Sequence, residues 1–317
     1  MEIKGILVSI LAPLENHIAN GGEKLLGNAS SIKKTPDGKV YISGQMQRHA
    51  LFTAMERLND ADPNKGETFV SNGDGVTNQI EKDLRGDMGG FMHPSRGDYS
   101  GRRSAPLTAT MAVSISSEKG SLHDEGPSKI GRDLLIRIRQ NEGEDATNQA
   151  LATKEFSEFD LMQMSFFLDM VSLSISKGFT YEGSFHIASN YFKHVKEEER
   201  KRRATLFLDA SRSMSDYSNQ ARNAVSGEPQ QVLIVFDTKL SRKASRYFAA
   251  NDQERKNILQ ELTDRGAKFY LGNDTEGETS VGTAYKLAMA ELNTAMLYDP
   301  CGGDEKIVTF EEFAGQN

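Results

Sequence analysis

Hydrophobic positions in this chain occur either as continuous apolar runs or at helical spacing. The runs Ile6 to Leu11 and QQVLIVF, from Gln230, are unbroken by charge, which is typical of buried strands. KVYISG predicts a short strand leading into a helix, with Ser43 as the N-cap. From Gly44 to Leu58 one face carries Leu51, Ala54, Met55 and Leu58, so the pattern predicts a core-packed helix.

The rest of the chain mixes further strands and helices. DLLIRIR and part of FSEFDLMQMSFFLDMVSLSIS predict strands, and VKEEERKRRATLFLDASRSM, AANDQERKNILQELTDRG and GTAYKLAMAELNTAML predict helices, the last of these being the final helix. Between about Asn59 and Gly126 the chain is rich in Gly, Asp, Asn, Ser and Pro, and a long irregular region is usually functional. The absence of a regular βαβ repeat favours an α+β domain with insertions.

Composition excludes several classes of protein. The 317 residues are 37% hydrophobic, enough for a substantial core, and include one cysteine, Cys301. We therefore expect no intramolecular disulfide, and no C-x-x-C or H-E-x-x-H motif offers a zinc site. The N-terminal apolar run is too short to span a bilayer, which predicts a soluble cytoplasmic protein without a membrane partner.

Charge is unevenly distributed. The formal net charge of −7 argues against coating nucleic acid through bulk positive charge but is compatible with a local basic groove. Basic residues cluster at Arg96 to Arg103, Lys193 to Arg203 and Lys239 to Arg246. Each cluster is also compatible with a solvated helix face or loop.

Several stretches carry a family resemblance. VYISGQMQRHALFTAMERL, with Ser43, Gly44, Gln45, Arg48 and His49, is preceded by Leu14-Glu15-Asn16 and followed by DLRGDMGGFM and RRSAPLTATMAVS. In this order they resemble the backbone subunit of type I CRISPR surveillance complexes, the Cas seven family in its DevR-like branch, with subtype I-B the expected subtype. Arg85 departs from the pattern, because an aromatic residue is expected there.

The resemblance implies both a fold and a role. The fold is α+β, an RRM/ferredoxin-like palm (about 1–58, 151–214 and 250–317) with a fingers insertion (about 59–150) and a thumb (about 215–249). Copies would polymerise as a filament along the spacer of the crRNA, beside the other Cascade subunits, and hold the guide for pairing with a target DNA strand in antiviral defence or RNA-guided targeting. Sequence is then read by the guide, so the protein needs contacts to phosphates only.

Candidate RNA-binding residues lie in three segments. A helix N-terminus attracts phosphates through unpaired amides and its partial positive charge, which suits the junction Ser43, Gly44, Gln45, Arg48 and His49. The basic cluster Arg96 to Arg103 adds Arg102 and Arg103. DYSNQARNAV resembles the turn that relatives place against the guide, and it contributes Gln220 and Arg222 supported by Asn219 and Asn223; a polar turn satisfying its own backbone is the alternative interpretation.

The stretch LFLDASRSMS supports a different class of protein. Asp209, Ser211 and Ser213 have the D-x-S-x-S spacing of the magnesium site in von Willebrand factor A domains, and Thr279 lies where such a domain has its metal-binding threonine. However, IVTF is followed by Phe310 and Glu311, where the domain needs an aspartate. The charged stretch EEERKRR before LFLDASRSMS also favours a helix. On that helix Asp209 and Ser213 would point away from the apolar face. A metal-dependent adhesion module therefore remains an alternative, and we expect no cofactor or metal.

Catalysis is not predicted. The six histidines form no recognisable triad spacing, and no G-x-x-x-x-G-K-[ST] loop is present. Backbone subunits of type III complexes cleave target RNA with an aspartate in a loop before the first palm helix, and Asp37 occupies that loop here. An Asp-Gly turn is the simpler explanation of Asp37, so we expect a non-enzymatic protein.

Overall fold

The structure is a computed structural model. It describes residues 1–317 except 16, 18, 20, 25–29, 74–76, 94–100, 116–129, 139–148, 158, 219–223, 278, 304–305 and 317.

Helices and strands alternate irregularly along the described chain. The helices are α1 (Gly44–Ala61), α2 (Leu84–Gly89), α3 (Glu197–Ala210), α4 (Asp252–Asp264), α5 (Val281–Thr294) and α6 (Phe310–Gln316), with a 3-10 helix at Lys243–Ala249. The strands are β1 (Glu2–Ile3), β2 (Gly5–Glu15), β3 (Gly21–Lys24), β4 (Ser30–Ile32), β5 (Tyr41–Ile42), β6 (Phe91–His93), β7 (Gly101–Arg103), β8 (Leu107–Ala109), β9 (Ala112–Ser114), β10 (Ile130–Ile138), β11 (Gln149–Ser157), β12 (Phe159–Asp169), β13 (Ile175–Glu182), β14 (Phe185–Lys193), β15 (Gln231–Asp237), β16 (Lys268–Asn273) and β17 (Met296–Leu297). The mixture confirms the predicted α+β class.

The main sheet is antiparallel and is centred on β2. Its order is β16-β15-β2-β12-β9-β5, with β8 also paired to β12. In the registers on either side of β2, Val8 lies opposite Ile234 of β15 and Phe166 of β12. The predicted strands Ile6 to Leu11 and QQVLIVF are therefore confirmed, and the structure pairs them directly although about 220 residues separate them.

Both faces of this sheet are covered. Ile6, Val8 and Ile10 point into a core shared with α1, α3 and α5, whereas Leu7 and Leu11 point into a second core with the 3-10 helix and α4. Because alternate side chains of a strand point to opposite faces, coverage on both sides requires apolar residues at nearly every position. This explains the continuous apolar runs of β2 and β15.

The predicted helices are confirmed, with one correction. α1 begins after Ser43, whose hydroxyl accepts a hydrogen bond from the Met46 amide at 3.2 Å, and α3 and α4 form as the periodicity predicted. The helix α5 is not the final one, because α6 follows it and buries Phe310 and Phe313 against Ile80. None of the described helices is long and apolar enough to cross a membrane.

Two features of the fold were not evident from sequence. The range 215–249, expected to form the thumb, contains β15, which lies between β16 and β2 in the main sheet, and the 3-10 helix against one face. A separate hairpin, β13–β14, was not predicted, and it exposes Phe179, Tyr181, Phe185 and Ile187. Apolar side chains displayed on an isolated hairpin are typical of a contact surface.

Candidate nucleic-acid interface

The N-terminal turn of α1 is packed tightly against the sheet. A Cβ atom at Gly44 would lie 2.9 Å from the carbonyl oxygen of Ala109, so the chain passes β8 too closely for a side chain. Outward from this contact, Gln45 and His49 are exposed and Arg48 is half-buried. Four predicted residues, Gly44, Gln45, Arg48 and His49, thus lie on the first two turns of one helix.

Arg48 is fixed in place by α2. Its Nη2 donates a hydrogen bond to the Gly89 carbonyl oxygen at 2.8 Å, and its guanidinium carbon lies 5.8 Å from the centroid of the Phe52 ring. Burial, and secondarily the positive charge of Arg85, lower the pKa of Arg48. The cation is therefore preoriented beside the helix and partly stripped of water.

The loop after α3 lies on the same turn of α1. The Tyr217 hydroxyl donates a hydrogen bond to Gln47 Oε1 at 3.2 Å, and the Ser218 hydroxyl lies 3.7 Å from the Met46 sulfur. Burial raises the pKa of Tyr217, so its phenol keeps the proton that this bond needs. The start of the loop is thus anchored on α1.

A second anchor lies further along α1. Arg57 Nη2 donates to the Ser213 carbonyl oxygen at 3.2 Å, and Arg57 Nη1 pairs with Asp216. The predicted residues Asn219, Gln220, Arg222 and Asn223 lie outside the described residues. Ser218, immediately before them, lies on the first turn of α1, so the structure brings two of the predicted segments together.

Gly227 closes this loop. It is buried, its amide donates to the Met214 carbonyl oxygen at 2.8 Å, and a Cβ atom there would lie 2.2 Å from the Tyr217 hydroxyl oxygen. Tyr217 can reach Gln47 only because residue 227 has no side chain.

Replacing Gly227 by alanine is expected to displace Tyr217 and to lower the free energy of unfolding by about 1–3 kcal/mol, the usual range for overpacking. Urea denaturation measures this change. The matched control is Gly282→Ala, since a Cβ atom in α5 meets nothing closer than Ser280 Oγ at 4.0 Å. A Gly227→Ala protein as stable as the control would contradict the role assigned to Gly227.

The guanidinium group of Arg103 makes its contacts inside the protein. Its Nη2 pairs with Asp87, and its Nη1 donates to the Ile175 carbonyl oxygen at 2.8 Å. A phosphate contact by Arg103 would require these bonds to break, and its RNA-binding role stays a prediction. Arg102 lies beside it on β7, paired in register with Met92 of β6.

Asp87 is the centre of a buried network that the sequence did not reveal. It pairs with Arg203 Nη1 at 2.7 Å and accepts hydrogen bonds from the amide and the hydroxyl of Ser174 at 2.9 and 2.6 Å. Burial by itself raises the pKa of Asp87, but the charges of Arg103 and Arg203 outweigh it and hold the pKa below its ordinary value. The only sequence signal was the position of Asp87 in DLRGDMGGFM.

The basic cluster Lys193 to Arg203 is largely structural. Arg200 is fully buried and donates to the carbonyl oxygens of Met170 and Leu173. Arg202 pairs with Glu199 at 2.6 Å, and Lys193 pairs with Asp299 at 2.7 Å. These cations satisfy carboxylates and carbonyls within the fold.

The D-x-S-x-S stretch lies at the end of a helix. α3 includes Asp209, which pairs with Arg212 at 2.6 Å, and ends at Ala210. The Ser211 hydroxyl is buried, donates to the Leu208 carbonyl oxygen and lies 2.9 Å from the Tyr285 hydroxyl. Within the described part of the chain, no group of three or more His, Cys, Asp or Glu residues could hold a metal ion.

Asp37 lies in a tight hairpin turn. The Gly38 amide donates to the Thr35 carbonyl oxygen at 2.9 Å, and the Thr35 hydroxyl donates to the Asp37 carboxylate. That hydrogen bond lowers the pKa of Asp37. The predicted Asp-Gly turn is therefore present.

Fold and site together define an α+β protein with an antiparallel sheet covered on both faces and a first helix on which the loop after α3 is anchored. Residues 12–226 match the family model for the CRISPR-associated negative auto-regulator DevR/Csa2, and the chain belongs to this family.

Two solved structures have a similar fold. One is a chain of a CRISPR RNA-guided surveillance complex, with 14% identity, a TM-score of 0.51, and coverage of 98% of this chain and 99% of that chain. The other is from a CRISPR RNA-guided surveillance complex in a pre-nicking state, with 11% identity, the same TM-score and the same coverage. A search of curated protein sequences finds no match.

Proposed function

We propose that this chain is the guide-binding backbone subunit of a type I CRISPR surveillance complex, of subtype I-B. Copies bind side by side along the crRNA spacer in a cytoplasmic complex, contact the other Cascade subunits, and leave the guide bases free to pair with target DNA. Membership of the DevR/Csa2 family supports this role, as does the similarity in fold to chains of surveillance complexes.

The observation that carries the proposal is the docking of the loop after α3 on the first turn of α1. Tyr217 and Ser218 contact Gln47 and Met46, which lie among Gln45, Arg48 and His49. The first turn of the helix and the start of the loop, the two segments predicted to bind the guide, are therefore in direct contact. A backbone held at neighbouring points by a helix turn and a loop is fixed in position without any base being read.

The sheet supports the finer assignment of an RRM/ferredoxin-like palm. The order β15-β2-β12-β9, with α1 and α3 on one face, is the arrangement expected of such a palm. RRM domains stack bases on aromatic side chains of the open face. Here the 3-10 helix and α4 cover that face, and Ser9, Gln163 and Ser165 hydrogen-bond to the Ser245 carbonyl oxygen. Binding through phosphates fits a sheet with no open face.

The exposed hairpin β13–β14 supports contact with other protein chains. Phe185 is 76% and Tyr181 60% exposed. Burying these side chains against an adjacent copy or another subunit would remove apolar surface from water. The filament and the absence of catalysis belong to this proposal, and so do a fingers and a thumb insertion, with β15 counted in the palm rather than in the thumb.

Co-purification tests the proposed function. A tagged chain expressed with a CRISPR array and the neighbouring subunits is expected to retain a short RNA of uniform length and several partner subunits. RNA sequencing and mass spectrometry identify them, and expression without the array provides the control.

Three results would contradict the proposal. A chain that purifies alone and free of RNA would remove the guide-binding role. Cleavage of complementary RNA at regular intervals, lost on Asp37→Ala, would assign the type III-like activity. Magnesium-dependent thermal stabilisation, lost on Asp209→Ala, would assign the adhesion module.

A further inference from the structure

Two guanidinium groups lie against one aromatic ring beside the first turns of α1. The guanidinium carbon of Arg85, on α2, is 4.8 Å from the centroid of Phe52, and that of Arg48 is 5.8 Å from the same centroid. Phe52 is itself buried in the core, so the ring is a rigid support for both cations.

Both arginines have unused hydrogen-bond donors. The Nε atoms of Arg48 and Arg85 are buried without a partner. Among the described residues the Arg85 guanidinium makes no hydrogen bond, and Arg48 makes the one to Gly89. The nearby carboxylate of Asp83 is occupied by the Ser71 and Arg85 amides and the Thr77 hydroxyl.

The other half-buried and buried arginines whose side chains the structure describes pair with carboxylates. Arg103 and Arg203 share Asp87, Arg202 pairs with Glu199, and Arg265 pairs with Asp237. Within the described residues, no carboxylate oxygen lies within ion-pair distance of Arg48 or Arg85. Two like charges held together away from water are unfavourable unless an anion joins them.

Electrostatics and space are compatible with an anion bound at the pair. Burial is the main cause that lowers the pKa of both arginines, and the charge of Arg85 lowers that of Arg48 further, whereas the carboxylates of Asp83 and Glu56 act on the pKa of Arg85 in the opposite direction. Two glycines flank the pair: a Cβ atom at Gly89 would lie 3.2 Å from Arg48 Nη2, and one at Gly73 would lie 3.2 Å from Arg85 Nη1. The guanidinium groups are thus approached by bare backbone on two sides.

We infer that Arg85 and Arg48 together form an anion site that takes one phosphodiester group of the bound RNA, with Arg85 as a binding residue in its own right. The inference rests on the proposed function for the identity of its ligand. Two planar guanidinium groups provide paired N–H donors that match the oxygens of a phosphate group. A single arginine would provide fewer of these donors.

Binding of the full-length chain to a labelled single-stranded RNA, measured by fluorescence anisotropy over a series of salt concentrations, tests the site. Arg85→Met keeps a long side chain on Phe52 but removes the charge. It is expected to weaken binding about ten-fold and to reduce the slope of log K against log salt by about one. Arg85→Lys is expected to keep the slope of the wild type.

The matched control is Arg246→Met. Arg246 is exposed on the 3-10 helix, which covers the other face of the sheet. Arg246→Met should leave the RNA affinity and the slope of log K against log salt unchanged. Thermal melting of each variant checks that it folds. If Arg85→Met does not fold, Arg85→Lys and Arg85→Gln replace it. A wild-type salt slope for Arg85→Lys and a reduced slope for folded Arg85→Gln would then show that the charge at residue 85 contributes to RNA binding.

A second measurement separates this inference from the proposed function. Inorganic phosphate is expected to raise the melting temperature of the wild type but not of Arg85→Met, whether or not RNA binds. Phosphate stabilisation that is equal in both proteins overturns the anion site. If Arg85→Met leaves the slope of log K against log salt for RNA binding unchanged, the phosphodiester assignment is wrong. It is also wrong if Arg85→Met abolishes self-association without changing RNA binding, because the two arginines would then bind an acidic surface of another copy. A wild type that binds no RNA contradicts the proposed function, and the phosphate measurement then decides on the anion site alone.

Discussion

Replacing Asp87 by asparagine is expected to lower the free energy of unfolding by about 3–5 kcal/mol, the usual loss when a buried ion pair is broken. Asp87 is fully buried and joins Arg103, Arg203 and Ser174. The substitution leaves two guanidinium groups in the interior without their shared carboxylate. Chemical denaturation followed by circular dichroism measures the change.

The control is Asp60→Asn, because Asp60 is exposed and its one ion pair among the described residues is with Lys65, whose side chain is 37% exposed. We expect that change to stay within about 0.5 kcal/mol. A loss of the same small size for Asp87→Asn would show that the network does not hold the fold together.

The pH dependence of this difference follows from the lowered pKa of Asp87. A carboxylate with a lowered folded-state pKa stabilises the protein above its ordinary pKa of 3.8, and this stabilisation is lost as the pH falls through the folded-state value. The difference in stability between the wild type and Asp87→Asn should therefore be largest near neutral pH and shrink below pH 3.8.

The second large effect is expected on RNA binding. Arg48→Glu combined with Arg222→Glu should abolish the shift of guide RNA in a native gel, a loss of more than roughly 100-fold, because two cations become anions on the proposed phosphate track. Arg48 directly follows Gln47, which Tyr217 of the loop contacts, and Arg222 follows four residues after the anchor at Ser218.

A control with the same change in net charge is Arg246→Glu combined with Lys256→Glu. Both residues are exposed, on the 3-10 helix and α4 across the sheet. This variant should bind RNA within a few-fold of the wild type. Unchanged binding and salt dependence in the Arg48 and Arg222 variant would remove both arginines from the interface.

Local signals in the sequence predicted much of the fold. Ser43 followed by apolar residues at helical spacing was enough to place α1, because a cap and a periodic face are encoded by neighbouring residues. The apolar run QQVLIVF correctly predicted a buried strand. Its place between β2 and β16 was missed, because strand order depends on residues far apart in sequence.

The hairpin β13–β14 was missed for a different reason. Its burial pattern is mostly exposed on both strands, so no alternation of apolar and polar residues marks a core face. The helix α6 is short, and its buried residues pack against Ile80 and Val308, a cluster separate from the main cores.

The candidate site was predicted in part. The polar stripe on α1 was visible from spacing, whereas the docking of Tyr217 on Gln47 joins residues 170 positions apart. The commitment of Arg103 to Asp87 was likewise invisible, because a basic cluster has the same sequence whether it faces solvent or a buried carboxylate. In the sequence, Arg85 was only a departure from a family pattern. In the structure its guanidinium group packs on the ring of Phe52.

The loop after α3 is fixed at two ends that lie close together. Ser218 contacts Met46 on α1, and the Gly227 amide donates to the Met214 carbonyl oxygen at 2.8 Å. The entropic cost of closing a loop grows slowly with its length, by about 0.6 kcal/mol for each doubling. Residues inserted between these two anchors should therefore cost little stability, and the length of this segment can vary while the core beneath it stays intact.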